Sequence, residues 1–128
     1  MNGYHSDIEK ETLENTNFRK VLYTGTYQQL VVMSLKPGED IGKEVHPTVD
    51  QFFRIEQGEA MAEIDGETMH LKADDVVIVP AGSEHNVTNM SKVQDLKLYT
   101  IYAPPNHPDG TIHATREEAM EAEEHEHH

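Results

Sequence analysis

The sequence contains no cysteine and no tryptophan, and only 10 of its 128 residues are Lys or Arg. Without cysteine there is no disulfide framework, no thiolate nucleophile and no cysteine-ligated zinc or iron–sulfur site. Any metal must therefore rest on histidine, carboxylate and amide donors, and the redox compartment stays open. Against the few basic residues stand 24 Asp and Glu, a formal charge of -14. Such a field repels phosphate backbones and anionic lipid, so neither nucleic acid nor a membrane surface is expected as a partner. No stretch approaches the roughly 18 apolar residues of a membrane span, and the opening Met-Asn-Gly-Tyr-His-Ser-Asp lacks the regions of a secretory leader. A cytoplasmic location is the expectation. The length suits one domain burying about two thirds of its unfolded surface.

Helical periodicity is also scarce between residues 18 and 102. Short segments rich in Val, Ile, Leu, Tyr and Phe recur there instead, separated by Gly, Pro and Asp, as in an antiparallel sandwich or barrel. The expected strands are 19–24, 28–35, 43–46, 51–57, 59–64, 67–71, 76–79, 85–89 and 96–102. Asp65-Gly66 is a strong hairpin signal, because a primed turn needs positive φ at both positions. Before the barrel lies a polar N-terminal extension, 1–17, where Ser6-Asp7-Ile8-Glu9 reads as a capping box for a short helix. After it, 104–128 reads as a loop and an acidic tail. The tail starts as a helix, but its end is too charged to pack and is expected to fray. Its His125, His127 and His128 read as solvated residues able to bind metal only loosely.

Two segments carry the candidate chemistry: Gly38-x5-Glu44-x-His46-x4-Gln51-x6-Gly58 and Asp74-x5-Pro80-x-Gly82-x2-His85-x3-Asn89. In an extended strand residues i and i+2 face one way, so Glu44 and His46 project together, about 7 Å apart along the backbone. Gln51 shares a face with Phe53 and Ile55, which puts an amide at the mouth of an apolar interior. His85 follows a Pro-x-Gly turn that can swing its ring into the same space. Two imidazoles and two hard oxygen donors then converge as a divalent ion requires. Taken singly, Glu44 could instead face solvent and Gln51 could bond a loop, and His46 or His85 could be a hydrogen-bonded core residue. Phe52, Phe53, Ile55, Val77, Val79, Leu96 and Leu98 read as core or dimer-face positions, and His70 as a surface residue.

The two segments resemble the paired motifs of the cupins, written G-x5-H-x-H-x3,4-E-x6-G and G-x5-P-x-G-x2-H-x3-N. Every spacing matches. Glu44 stands in place of the usual first His, Gln51 in place of the usual Glu, and Asp74 in place of a turn Gly. The resemblance implies a single antiparallel double-stranded β-helix, the jelly-roll or cupin barrel, over 18–103. It also implies one divalent metal ion (Mn, Fe, Ni, Co or Zn) on Glu44, His46, Gln51 and His85. The Pro-Pro-x-His-Pro-Asp-Gly ending of the barrel is similar to that of small cupins labelled mannose-6-phosphate isomerase-like. The amide at Gln51 is similar to that of cupins that open unsaturated uronates.

The function expected from this resemblance is a metal-dependent sugar or uronate isomerase or tautomerase acting on a small polar substrate. Tyr99, Tyr102 and Lys97 on the last strand, with His107 beyond it, are the candidate proton-movers. A non-haem iron or manganese dioxygenase, built on Glu44, His46 and His85, is the second reading. A non-catalytic small-molecule-binding module is the third. The apolar residues of 19–35 and 96–102 exceed what one small barrel can hide, which predicts a homodimer.

Overall fold

A computed structural model describes residues 3–126, with side chains through residue 124. The sequence folds as an all-β barrel. Strands β1 (Arg19–Thr24), β2 (Gln29–Leu35), β4 (Asp50–Gln57), β7 (Val76–Val79), β9 (Leu96–Ala103) and β10 (Ile112–His113) form one sheet, in the order β10-β1-β2-β9-β4-β7. Strands β3 (Glu44–Val45), β5 (Glu59–Ile64), β6 (Glu67–Lys72) and β8 (Glu84–Asn89) form the second, in the order β3-β8-β5-β6. All the pairings are antiparallel. No described helix is long and apolar enough to cross a membrane.

Alternation decides which side chains fill the space between the sheets. On β4, Gln51, Phe53 and Ile55 are buried while their neighbours are less so. On β9, Leu96, Leu98, Thr100 and Tyr102 point inward. With Val31, Met33 and Leu35 of β2 they make the core, each large aliphatic side chain contributing about 1.5–3 kcal/mol of burial. The core stops being apolar at one end, where Gln51, Thr100, Tyr102 and His85 are buried together.

The turns explain the motif residues that are not donors. Asp65 and Gly66 both take positive φ, 48° and 86°, as the hairpin signal requires. Gly58 (φ +98°) bends β4 into β5, and a Cβ there would lie 3.2 Å from the Asp95 carbonyl oxygen. Asp74 also takes positive φ, 77°, so the turn keeps the conformation its usual Gly would have. The Arg54 guanidinium donates to its carboxylate at 3.0 Å.

Both ends of the chain pack onto the barrel. Helix α1 (Ile8–Glu14) lies over the outer face of the larger sheet, against β2, β4 and β9. Its N-cap is Asp7, accepting from the Lys10 amide, one residue beyond the Ser6 position read from the sequence. The tail departs further from expectation. Strand β10 joins β1, with His113 opposite Arg19, and a two-residue strand has no alternation to read. Helix α2 (Arg116–Glu126) carries the helical start of the tail through Glu126, anchored where Ala119 is fully buried and Met120 packs on the core; the expected fraying of the last residues lies outside the described ones. The Arg116 guanidinium donates to Asp40 at 2.7 Å and ties down its start. The His125 side chain, His127 and His128 lie outside the described residues.

Candidate functional site

At the polar end of the barrel, residues from both sheets meet. Glu44 on β3 lies directly opposite His85 on β8, and His46 follows β3. The amide of Gly82 donates to the His46 carbonyl at 2.9 Å, so the Pro-x-Gly turn is fastened to the first motif. Gln51 reaches them from β4 in the other sheet. Glu44 Oε2 is 3.3 Å from His46 Nε2, and His85 Nε2 is 3.1 Å from Gln51 Oε1. The two imidazole rings have centroids 5.3 Å apart. The structure thus brings together all four residues singled out as donors.

Burial sets their charge. It pushes the Glu44 carboxyl up to about 7, helped by Glu123 and opposed by Arg19. It pulls His46 down to about 4, with His85 and Arg19 adding to the effect, and it lowers His85 as well. Both rings are neutral at neutral pH, so the Glu44–His46 contact is not an ion pair of full charges.

A neutral ring has one N–H. His85 Nδ1 faces the Ser83 carbonyl oxygen at 3.2 Å, and Nε2 faces the Gln51 oxygen. Whichever nitrogen carries the proton, one lone pair is left facing an oxygen. With Nδ1–H donating to Ser83, as an orienting partner of a metal-bound histidine does, Nε2 and Gln51 Oε1 are two acceptors aimed at common space. The amide of Gln51 donates in turn to Thr100 Oγ1 at 3.0 Å, which holds its oxygen toward His85. Among the described residues no three His, Asp or Glu side chains form a ready metal cluster. The fourth donor here is an amide, and Glu44 and His46 lie side by side at 3.3 Å. Two atoms bound to one ion at about 2.1 Å sit about 3.0–3.4 Å apart, the separation both pairs already have. The donor set fits a divalent ion.

The loop after β9 completes the site. Gln29, fully buried, donates to the His107 carbonyl at 2.8 Å and accepts from the amides of Asn106 and His107 at 3.1 and 3.0 Å. This clamp turns the His107 ring inward, where Nε2 meets the Tyr102 hydroxyl at 3.2 Å. Burial raises the Tyr102 phenol well above its ordinary value and lowers His107 to about 3, Arg19 adding to the latter. Both are therefore neutral. A cavity of about 320 Å³ is lined by Lys43, Glu44, Val45, His46, Asn106, His107 and Glu123.

Tyr102 and His107 thus lie at the site, but the other two proton-mover candidates do not. Lys97 and Tyr99 occupy the alternate positions of β9 and face outward. The Lys97 ammonium donates to the Asn15 carbonyl beside α1, and Tyr99 packs near Phe52 with ring centroids 6.0 Å apart. The period of 2 that turns Tyr102 inward turns both of them away. Sequence reading missed Gln29, Arg19 and Glu123. The first two are polar residues that each open a largely apolar strand, and Glu123 is one of many tail glutamates. A polar residue at an inward strand position was the available signal for Gln29 and Arg19.

A cupin domain family model matches residues 31–102. The uncharacterized protein YrkC of Bacillus subtilis is 48% identical over 124 residues, covering 92% of this chain and 66% of the relative. This chain therefore spans just under two thirds of that relative's length. The uncharacterized protein L612 of Acanthamoeba polyphaga mimivirus is 45% identical, covering 88% of this chain and 72% of that one. A crystal structure from Bacillus halodurans superposes with TM-score 0.89 at 42% identity, covering 92% of this chain and 93% of that one. The family match runs from β2 to β9 and encloses Glu44, His46, Gln51 and His85, and the chain belongs to the cupin domain family.

Proposed function

We propose that this cupin is a metal-dependent enzyme of the sugar or uronate isomerase or tautomerase type. The observation that carries the reading is the convergence of four donors: His85 Nε2 faces Gln51 Oε1 at 3.1 Å, and Glu44 and His46 beside them line a polar cavity. A divalent ion held by Glu44, His46, Gln51 and His85 supplies Lewis acidity toward a substrate carbonyl or hydroxyl oxygen. Tyr102 and His107 share one proton across 3.2 Å while both stay neutral. Placed beside His46, this pair is the one positioned to relay a proton between neighbouring substrate atoms, the transfer that keto–enol and aldose–ketose interconversions need, once bound metal and substrate bring their values toward neutrality. Asn106 and Lys43 at the cavity wall offer donors for hydroxyl groups.

The test is anaerobic reconstitution with Mn, Fe, Co, Ni or Zn and a panel of aldoses, ketoses and uronates. Oxygen-independent conversion of a panel member is expected. Consumption of oxygen with a diketone or thiol, and no conversion of the panel, would replace the reading with a dioxygenase. Metal binding without any turnover would leave a binding module.

We also propose a homodimer formed through the outer face of the larger sheet. Tyr23, Leu30, Ile101, Phe52 and Ile78 stand in register across five of its strands. At the edge strand β7, Ile78 is 61% exposed and Val76 is exposed too, an apolar margin that a second copy would cover.

A further inference from the structure

Arg19 is the least expected residue in the barrel, a guanidinium with 1% of its surface exposed. One of its terminal nitrogens lies 3.3 Å from His113 Nδ1 and 3.3 Å from Glu123 Oε1. Its Nε has no hydrogen-bond partner among the described residues, and neither does Glu123 Oε1, so the ion pair is in contact without good hydrogen-bond geometry. A guanidinium carries five N–H donors in a fork that matches a carboxylate, and leaving one buried and unused is costly. Glu123 forms part of the cavity wall and meets Arg19 behind it at 3.3 Å. Its side chain keeps 21% exposure, so it can rotate outward while Ala119, one turn earlier in α2, stays anchored in the core.

We propose that Arg19 is the carboxylate-recognition group of this site and that Glu123 is a tethered stand-in which a substrate carboxylate displaces. The substrates are then small acids such as uronates, selected over the corresponding neutral sugars. The incoming carboxylate takes the unused Nε together with a terminal nitrogen. This rests on the proposed function only in taking the cavity as the substrate's site.

Calorimetric titration of the metal-loaded full chain with D-galacturonate against D-galactose, and D-glucuronate against D-glucose, tests it. Wild type should bind each acid more tightly than its neutral partner. Glu123→Gln, which removes the competing charge, should tighten the acids several-fold and leave the neutral sugars unchanged. Arg19→Lys, with its fold checked by circular dichroism, keeps the charge but loses the fork and should lose most of the discrimination. A merely structural ion pair would lower stability in Glu123→Gln without changing the preference for acids. Equal affinities within each pair, a Glu123→Gln effect common to acid and neutral sugar, or no uronate binding to Glu123→Gln would overturn the proposal. Discrimination without turnover of any of the four would remove the isomerase reading alone, and turnover of acids and neutral sugars alike would remove only the role of Arg19.

Discussion

Nε2 of His85 and Oε1 of Gln51, 34 positions apart in sequence, face each other at 3.1 Å inside the barrel. A neutral histidine that gives its proton to the Ser83 carbonyl leaves this pair without a hydrogen between two lone pairs. A cation there relieves the repulsion, and burial keeps the ring unprotonated, with a lone pair free to ligate. The Gln in place of a carboxylate leaves the site with one formal negative charge, on Glu44, instead of two.

The clamp made by Gln29 is expected to matter for activity without touching the donor cluster. Gln29→Leu orphans the buried backbone groups of Asn106 and His107, at about 1–3 kcal/mol for each unsatisfied group. The variant should bind metal as wild type does, lose most turnover and show faster hydrogen exchange across residues 106–111. Wild-type turnover in Gln29→Leu would remove His107 from the mechanism.

Stability of the metal-free protein should fall as the solution becomes acidic. His46 and His107 are held neutral, at about 4 and about 3, whereas both return to 6.5 on unfolding. Below pH 6.5 the unfolded chain therefore binds protons that the folded chain refuses. Glu44 acts the other way, since its folded value of about 7 exceeds 4.5 and between these the folded chain holds the extra proton. Two histidines against one carboxyl leave a net loss on the order of 1 kcal/mol per pH unit. Urea denaturation between pH 6.5 and 4.5 should show this loss, steeper in Glu44→Gln. A flat profile in both proteins would contradict it.

At Asp74 the backbone asks for positive φ and the side chain offers a contact with an exposed arm of Arg54. Asp74→Gly should be neutral or slightly stabilising in thermal unfolding, because relief of the left-handed conformation offsets a weak surface pair. Asp74→Val should cost about 1–2 kcal/mol. Equal melting of the two variants would discard the backbone argument.

The dimer proposal is checked by light scattering after gel filtration. Wild type should run as a dimer and Ile78→Asp as a monomer of unchanged circular dichroism. A monomeric wild type at micromolar concentration would end it.

Strand placement was legible because each strand carries its own alternation and its own punctuation. The nine segments read from the pattern all became strands, and the Asp65-Gly66 turn falls where expected. The cluster of Glu44, His46, Gln51 and His85 was legible through spacing, since strand parity and two fixed turns determine where those side chains go. Parity applied less strictly misassigned Lys97 and Tyr99. What stayed hidden depends on contacts between distant segments. Arg19 meets His113 and Glu123, and Gln29 meets His107, across separations for which a single chain gives no local signal. The helical start of the acidic tail was legible, but the contacts that anchor it were not. Ala119, buried in the core, and Met120, packed against it, anchor the first turns of α2.

The most direct test of the metal centre is elemental analysis of the purified chain after incubation with a divalent metal and desalting, beside His46→Ala and His85→Ala with folding confirmed. One ion per wild-type chain, with most of it lost in each variant, is the result predicted. Wild-type occupancy in both folded variants would contradict the assignment of Glu44, His46, Gln51 and His85 as the metal site.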